Sequence, residues 1–214
     1  MNGKKMETVG DRARRVLAAL ADLKTLQRGN YAYVILPFDI EFHPQFLKDI
    51  CRLMVDGWIE MFPREKLKRI LTIEAKGLPI AASLSQLLDV PVSIARKRQY
   101  NLKGEVAITK TTGYEESTVY INGIHPGARG ILLVDDLIST GGTMRPILSW
   151  AQDNDIEIPE VWTLFEKRPH ASKASAADLL ARDFPVKVRR VVSLVQDETL
   201  QFGARLSEDL LEER

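Results

Sequence analysis

Short apolar runs and longer amphipathic segments alternate through the middle of the chain. The runs "RILTIE", "VPVSIAR", "GILLVDD" and "EVWTLFEK" are rich in β-branched and aliphatic residues and predict buried strands. The segments "AKGLPIAASLSQLLD" and "GGTMRPILSWAQDND", which lie between them, have helical spacing. Strands that alternate with helices predict an α/β fold, in which a mainly parallel central sheet is flanked by helices on both faces.

Four further segments lie outside this alternation. We predict a helix in "DRARRVLAALADLK", a strand in "YAYVILPF" that ends at Pro37, a helix in "HPQFLKDICRLMVDGW" and a charged terminal helix in "FGARLSEDLLEER". Residues 98–127 form a long polar connection, and such insertions are often lids or binding loops. Within it, "GEVAITKT" and "ESTVYING" predict a two-stranded lid over residues 99–122, with a turn at Gly113.

Length and composition favour one domain. The chain has 214 residues, of which 45% are hydrophobic, so residues 1–214 can form a single core. Within this domain we expect an N-terminal region at 1–43, the lid at 99–122, and a C-terminal strand and helix at 185–214.

The net charge of +1 predicts neither a nucleic-acid partner nor a membrane surface, and no apolar run approaches the ~20 residues of a membrane span. The single Cys51 favours a reducing compartment, so we expect a cytoplasmic protein.

The stretch "ILLVDDLISTGGTM", residues 131–144, carries the clearest chemistry. Gly141 and Gly142 allow a tight turn before a helix, whose first N–H groups and positive dipole end can hold a phosphate. Asp135 and Asp136 would repel a phosphate, but they can accept hydrogen bonds from sugar hydroxyls or face a divalent cation. A phosphorylated sugar therefore suits the whole stretch. The alternative is that the aspartates only cap the helix and the loop is a plain turn.

This stretch resembles the phosphoribosyl-pyrophosphate (PRPP) motif of the type I phosphoribosyltransferases. "TIEAKGLPIAASLSQLLDVPVSIARKR" is similar to the pyrophosphate loop and following strand of their adenine branch. "YNLKGEVAITKTTGYEESTVYINGIHPG" is similar to the mobile loop of the archaeal-type hypoxanthine/guanine enzymes. The resemblance implies the type I phosphoribosyltransferase fold with a small N-terminal hood and a mobile lid hairpin. It also implies that the chain is an enzyme with Mg²⁺ as cofactor, PRPP and a purine base as substrates, and a homodimeric assembly.

The resemblance assigns a part of the substrate to each motif. It implies that the 5′-phosphate is bound by Ser139, Thr140, Gly141, Gly142 and Thr143. It implies that the catalytic pair Asp135 and Asp136 binds the ribose hydroxyls and, directly or indirectly, the metal. Pyrophosphate is expected to be bound by Ala75, Lys76, Gly77, Lys97, Arg98 and Lys103. The family often has a non-proline cis peptide in the pyrophosphate loop, which we expect between Ala75 and Lys76.

The choice of purine base is less closely defined by the motifs. Phe38 could stack on the base from the hood, and the lid brings Tyr114 and Glu115 as candidates for contact with the base and for catalysis. Where adenine enzymes often have "F-R-D-I", this chain has Pro37-Phe38-Asp39-Ile40, which departs at the arginine, and this departure together with the lid favours a 6-oxopurine, hypoxanthine or guanine. Adenine is the alternative substrate. A non-catalytic, PRPP-sensing transcription regulator is a more distant alternative, because no separate DNA-binding module is evident.

Overall fold

A central sheet of six strands organises the molecule. The computed structural model describes residues 7–28, 31–59, 66–111, 116–168, 174–197, 201–207 and 210. The strands of the sheet are β3 (Arg69–Ile73), β4 (Val92–Ala95), β7 (Ile131–Ile138), β8 (Glu160–Arg168), β9 (Lys187–Gln196) and β10 (Phe202–Leu206). Their order is β10-β9-β8-β7-β3-β4, and every neighbouring pair is parallel except β10 with β9. The predicted mainly parallel sheet is confirmed.

Helices cover both faces of this sheet. They are α1 (Val9–Ala19), α3 (Pro44–Trp58), α4 (Gly77–Leu88), α5 (Met144–Asp153) and α6 (Ala176–Asp183). Alternate residues of β7 enter different cores: Leu132 and Val134 pack with α1, α3 and α4, whereas Leu133 packs with α5 and α6. Because both faces are buried, the central strands read as continuous apolar runs and not as alternating ones.

The predicted terminal helix over 202–214 is wrong for its first part. Residues 202–206 form β10, which pairs antiparallel with β9, Phe202 opposite Gln196 and Leu206 opposite Val192. Phe202 is buried and Gly203 and Arg205 are exposed, which is the period of two that a strand requires. This alternation covers only five residues, and it is a weaker sequence signal than the charged residues that follow it. The sequence alone therefore favours a helix. Of the residues that follow, the structure describes only Ser207 and Leu210.

The N-terminal hood is a small antiparallel unit beside the sheet. It contains β1 (Lys24–Arg28), β2 (Tyr31–Ile35) and the short helix α2 (Pro37–Ile40). Lys167, near the end of β8, donates a hydrogen bond from its Nζ to the carbonyl of Ala32. The hood is therefore tied to the edge of the sheet at which the parallel strands end.

The predicted pair of strands in the lid is present as an antiparallel hairpin. It consists of β5 (Val106–Thr111) and β6 (Glu116–Ile121), which pair along their whole length. Ile108, Val119 and Ile121 are buried in the core beside α5, and an isolated bridge joins Tyr120 to Arg96 after β4. The hairpin is thus packed along one face and anchored at its base, in contrast to the free hairpin that its sequence suggests.

Candidate active site

The carboxyl ends of β3, β4 and β7 meet at one edge of the sheet and form a cavity of about 530 Å³. The turn after β3, the segment after β4 and the loop after β7 all contribute to its wall, and the hood and hairpin add one side each. Ligands of open α/β sheets bind at this edge, because loops from neighbouring strands converge there. The cavity is therefore the candidate active site.

The loop after β7 presents backbone donors to the cavity. All five residues from Ser139 to Thr143 line it. Gly141 has φ +78°, a left-handed conformation that glycine adopts without strain. The amide of Arg145 bonds to the carbonyl of Gly141 at 2.9 Å, and no side chain caps the start of α5 at Thr143. The first N–H groups of α5 are thus directed to a ligand-sized space, as at helix termini that hold phosphate.

The two aspartates lie inside β7 and not at its end, because the strand continues to Ile138. Both line the cavity and both are buried, Asp135 to 8% and Asp136 to 5% exposure. The amide of Asp136 donates to Asp135 Oδ1 at 2.9 Å, which fixes the first carboxylate against its own backbone. Asp136 Oδ2 lies 3.0 Å from Lys76 Nζ. The acidic pair therefore lies between the loop from Ser139 to Thr143 and the turn after β3.

The turn after β3 brings Ala75, Lys76 and Gly77 to the edge of the cavity. A non-proline cis peptide lies in it, but between Glu74 and Ala75, one bond earlier than expected. Since β3 ends at Ile73, this is the first peptide of the turn. Gly77 starts α4 against the neighbouring strands: a Cβ there would overlap the Thr72 hydroxyl and lie 3.0 Å from Asp135 Oδ1. Position 77 therefore has room only for glycine.

Lys76 is the cation nearest to the acidic pair. Its Nζ lies 3.1 Å from Asp39 Oδ1 of the hood and 3.0 Å from Asp136 Oδ2. Burial alone would lower the pKa of Lys76, but the charges of Asp136 and Asp39 outweigh it and raise the pKa above its ordinary value. Lys76 therefore stays a cation at neutral pH and is ready to meet an anion.

The other predicted pyrophosphate residues divide into two groups. Lys97 lines the cavity, and its amide donates to Glu74 Oε2 at 2.9 Å, so the segment after β4 is held to the turn after β3. Arg98 and Lys103 are exposed and lie outside the cavity wall. The guanidinium of Arg98 instead lies 5.9 Å from the ring centroid of Tyr100. The structure thus brings one of the three cations to the site.

The predicted base-binding residues do not meet at the cavity in the described part of the chain. The ring of Phe38 packs on Phe42 at 4.6 Å and on Phe46 at 6.2 Å between centroids, and Phe38 is not among the cavity residues. Tyr114 and Glu115 lie outside the described residues.

Four polar residues of the cavity wall were missed by the sequence reasoning: Tyr33, Ser117, Thr118 and Tyr120. A signal for two of them was available in the alternation of their strands. Tyr33 lies between the buried Ala32 and Val34, and Tyr120 lies between the buried Val119 and Ile121. Successive side chains of a strand point to opposite faces, so each tyrosine must face away from the core.

Among the described residues, no helix is long and apolar enough to cross a membrane. No group of three or more histidine, cysteine, aspartate or glutamate side chains in that part of the chain could hold a metal ion by itself.

Comparison with known proteins agrees with this geometry. Residues 39–189 match the phosphoribosyl transferase domain. The hypoxanthine/guanine phosphoribosyltransferase of Methanohalobium evestigatum is 35% identical over 176 residues, which are 81% of this chain and 86% of that protein. That of Methanospirillum hungatei is 36% identical over 164 residues, or 77% and 89% of the two chains.

Solved structures share the fold at lower identity. The adenine phosphoribosyltransferase of Saccharomyces cerevisiae superposes with a TM-score of 0.65 at 18% identity, over 85% of this chain and 98% of that one. That of Leishmania tarentolae gives 0.66 at 17% identity, over 95% and 93%. The chain therefore belongs to the phosphoribosyltransferase family. Within this family of enzymes it is a type I purine phosphoribosyltransferase.

Proposed function

We propose that the chain transfers the 5-phosphoribosyl group of PRPP to a 6-oxopurine, hypoxanthine or guanine, with release of pyrophosphate, in purine salvage. The observation that carries the proposal is one cavity with an anion-binding feature on each side of a buried acidic pair: the loop from Ser139 to Thr143 and the cation Lys76. PRPP has a phosphate at one end, a diphosphate at the other and hydroxyls between them. The names of the similar archaeal proteins support the choice of base.

In this proposal each wall of the cavity binds a different part of PRPP. The N–H groups at the start of α5 bind the 5′-phosphate, and Asp135 and Asp136 accept hydrogen bonds from the ribose hydroxyls. Lys76, Lys97 and the amides of the turn after β3 bind the diphosphate. Arg98 and Lys103 can serve only at longer range from their exposed positions.

The reaction in the proposal is a displacement at the anomeric carbon of ribose. A purine nitrogen forms the new bond to this carbon while the bond to the pyrophosphate oxygen breaks, and the transition state has oxocarbenium character. Lys76 and Lys97 stabilise the charge that develops on the leaving oxygen. The hairpin closes over the site and excludes water, and Tyr114 and Glu115 reach the base, with Glu115 accepting the proton that the purine loses.

Mg²⁺ fits the residues that are present. Magnesium is usually held by one or two carboxylates together with substrate phosphates and waters. Asp135 and Asp136 supply two carboxylates in the cavity, and Asp136 Oδ2, which pairs with the Lys76 ammonium, accepts no other hydrogen bond from the described residues. In the proposal Asp135 and Asp136 would hold the ion, directly or through water, and the ion would offset charge on the diphosphate.

The remaining proposals concern the state of the protein in the cell. We propose a cytoplasmic homodimer with no nucleic-acid or membrane partner, on the basis of the family resemblance, the net charge of +1 and the single cysteine, Cys51. Light scattering on the purified protein tests the dimer, and fractionation of the producing cells tests the location.

The experiment that tests the activity is pyrophosphate release from PRPP and Mg²⁺ with hypoxanthine, guanine, xanthine and adenine in turn. We expect turnover with hypoxanthine and guanine and much less with adenine. Preference for adenine would establish the alternative substrate. Tight binding of PRPP with no release in the presence of any base would instead favour the non-catalytic sensor.

A further inference from the structure

One side chain, Lys76, connects three separate parts of the chain. It belongs to the turn after β3, and its ammonium contacts Asp39 in α2 of the hood and Asp136 in β7. Asp39 and Lys76 are 37 residues apart in sequence. The hood therefore contacts the diphosphate side of the cavity through an ion pair.

The two carboxylates that hold Lys76 differ in their other partners. Asp39 Oδ1 also accepts a hydrogen bond from the Tyr33 hydroxyl at 2.7 Å, and Asp39 Oδ2 accepts one from the Leu36 amide at 2.8 Å. Asp136 Oδ2 pairs with the Lys76 ammonium at 3.0 Å, and among the described residues it accepts no other hydrogen bond. Asp39 would thus remain satisfied without Lys76, whereas Asp136 Oδ2 would need a new partner.

The ligand can supply that new partner. A ribose hydroxyl is a donor, and one that binds Asp136 replaces the lysine there. Lys76 is then held back from the diphosphate by Asp39 alone. The side chain of Lys76 is 33% exposed and that of Asp39 15%, so the pair lies near the surface, where an ion pair is weak enough to exchange.

We propose that Asp39 is a positioning residue that restrains Lys76 in the substrate-free enzyme, and that Lys76 leaves Asp39 when a diphosphate binds. The hood, which includes Tyr33 at the cavity wall, thereby responds to occupancy of the diphosphate site. The inference rests on the proposed function in one respect: it takes the turn after β3 as the place where the diphosphate binds.

The variant Asp39→Asn tests this restraint. Asparagine keeps the shape and an acceptor oxygen for Tyr33 or Leu36, but it removes the charge that holds Lys76. We expect inorganic pyrophosphate to bind about threefold to fivefold more tightly to Asp39→Asn than to the wild type, which is the strength of a partly exposed ion pair. Isothermal titration calorimetry without purine measures this change. Ribose 5-phosphate, which has no diphosphate, should bind within about twofold of the wild type.

A double-mutant cycle separates an effect through Lys76 from a general effect of charge or folding. In a Lys76→Gln background, Asp39→Asn should change pyrophosphate affinity by less than about twofold. Glu41→Gln is the matched control, because it removes one negative charge from the exposed end of the same short helix, outside the cavity wall, and it should bind pyrophosphate like the wild type.

Three results would overturn the inference alone. The first is a pyrophosphate affinity of Asp39→Asn that is unchanged or weaker, and the second is a gain in affinity that is the same in the Lys76→Gln background. The third is equal tightening of pyrophosphate and ribose 5-phosphate, which would show an effect that does not pass through the diphosphate site. In these cases the proposed activity stands if the wild type binds pyrophosphate. A wild type that binds no pyrophosphate would overturn both the inference and the assignment of the turn.

Discussion

Gly77 and Thr72 approach so closely that a methyl group on Gly77 would overlap the Thr72 hydroxyl. The same methyl group would lie 3.0 Å from Asp135 Oδ1, so the turn after β3 and the acidic pair share one tightly packed contact. Thr72 is fully buried, between the apolar Leu71 and Ile73 of β3. The position of the turn after β3 relative to the acidic pair is therefore set by the absence of a side chain at residue 77.

Gly77→Ala should lower kcat/KM on the order of 100-fold, because a displacement of about 1 Å in a substrate-positioning group has this effect. Pyrophosphate release at subsaturating PRPP measures it. Thr72→Ala in the same chain removes the overlapping hydroxyl and should restore part of the activity. Gly203→Ala is the matched control, since a Cβ there meets nothing within 4 Å. A fully active Gly77→Ala enzyme would contradict the contact.

The combined change of Asp135→Asn and Asp136→Asn should lower kcat at least about 100-fold with any purine, because contacts made to the transition state are lost. Steady-state kinetics with saturating PRPP and Mg²⁺ measure this loss, and circular dichroism checks the fold. Asp22→Asn, on an exposed residue, is the control and should behave like the wild type. Near-native turnover of the double variant would show that the pair has another role.

The hairpin should gain protection from hydrogen exchange when PRPP, Mg²⁺ and a non-reactive purine analogue bind together. We expect the gain over residues 110–118, since the buried Ile108, Val119 and Ile121 already anchor the strands on one face. Replacing residues 112–115 with Asn-Gly keeps a hairpin turn and shortens the tip. Transfer should fall at least about tenfold in this variant while PRPP affinity changes little. Equal exchange in both states would show that the hairpin is not a lid.

Glu160 and Arg189 form a buried ion pair at the start of β8 and β9. Arg189 Nε lies 2.9 Å and the indole Nε1 of Trp162 lies 2.6 Å from Glu160 Oε2. Glu160→Gln should lower the free energy of unfolding by about 3 to 5 kcal/mol, because the change removes one partner of a buried ion pair. Urea denaturation measures this change. Asp155→Asn, at the exposed pair with Arg129, should leave the unfolding midpoint unchanged.

Asp49 should make stability depend on pH in the acid range. Burial acts to raise the pKa of Asp49, but the hydrogen bonds from Arg15, at 2.7 Å, and Gln45, at 2.8 Å, outweigh it and lower the pKa below its ordinary value. A lowered pKa in the folded state adds stability above the unfolded pKa of about 3.9, and this stability is lost as pH falls through the folded value. The difference in unfolding free energy between wild type and Asp49→Asn should therefore be full at pH 7 and shrink below about pH 4. Urea denaturation from pH 7 to pH 3 measures it, and a difference that is constant over this range would contradict the assignment.

The sequence by itself determined the parts that depend on local pattern. The predicted runs of β3, β4, β7 and β8 are all strands in the structure. The runs of β3, β7 and β8 are continuous and apolar because a strand that is buried on both faces needs such a sequence. The loop from Ser139 to Thr143 was recognisable because its glycines, hydroxyls and helix start are adjacent in the chain.

Tertiary structure alone decided the parts that depend on distant partners. Residues 202–206 are a strand because β9 offers a free edge, although their neighbours in sequence favour a helix. Phe38 packs with Phe42 and with Phe46 of α3 and is not among the cavity residues. The contacts of Lys76 with Asp39 and Asp136 join residues 37 and 60 positions apart, and no local pattern encodes them. Only the packing of the hood against the ends of β3 and β7 brings these charges together.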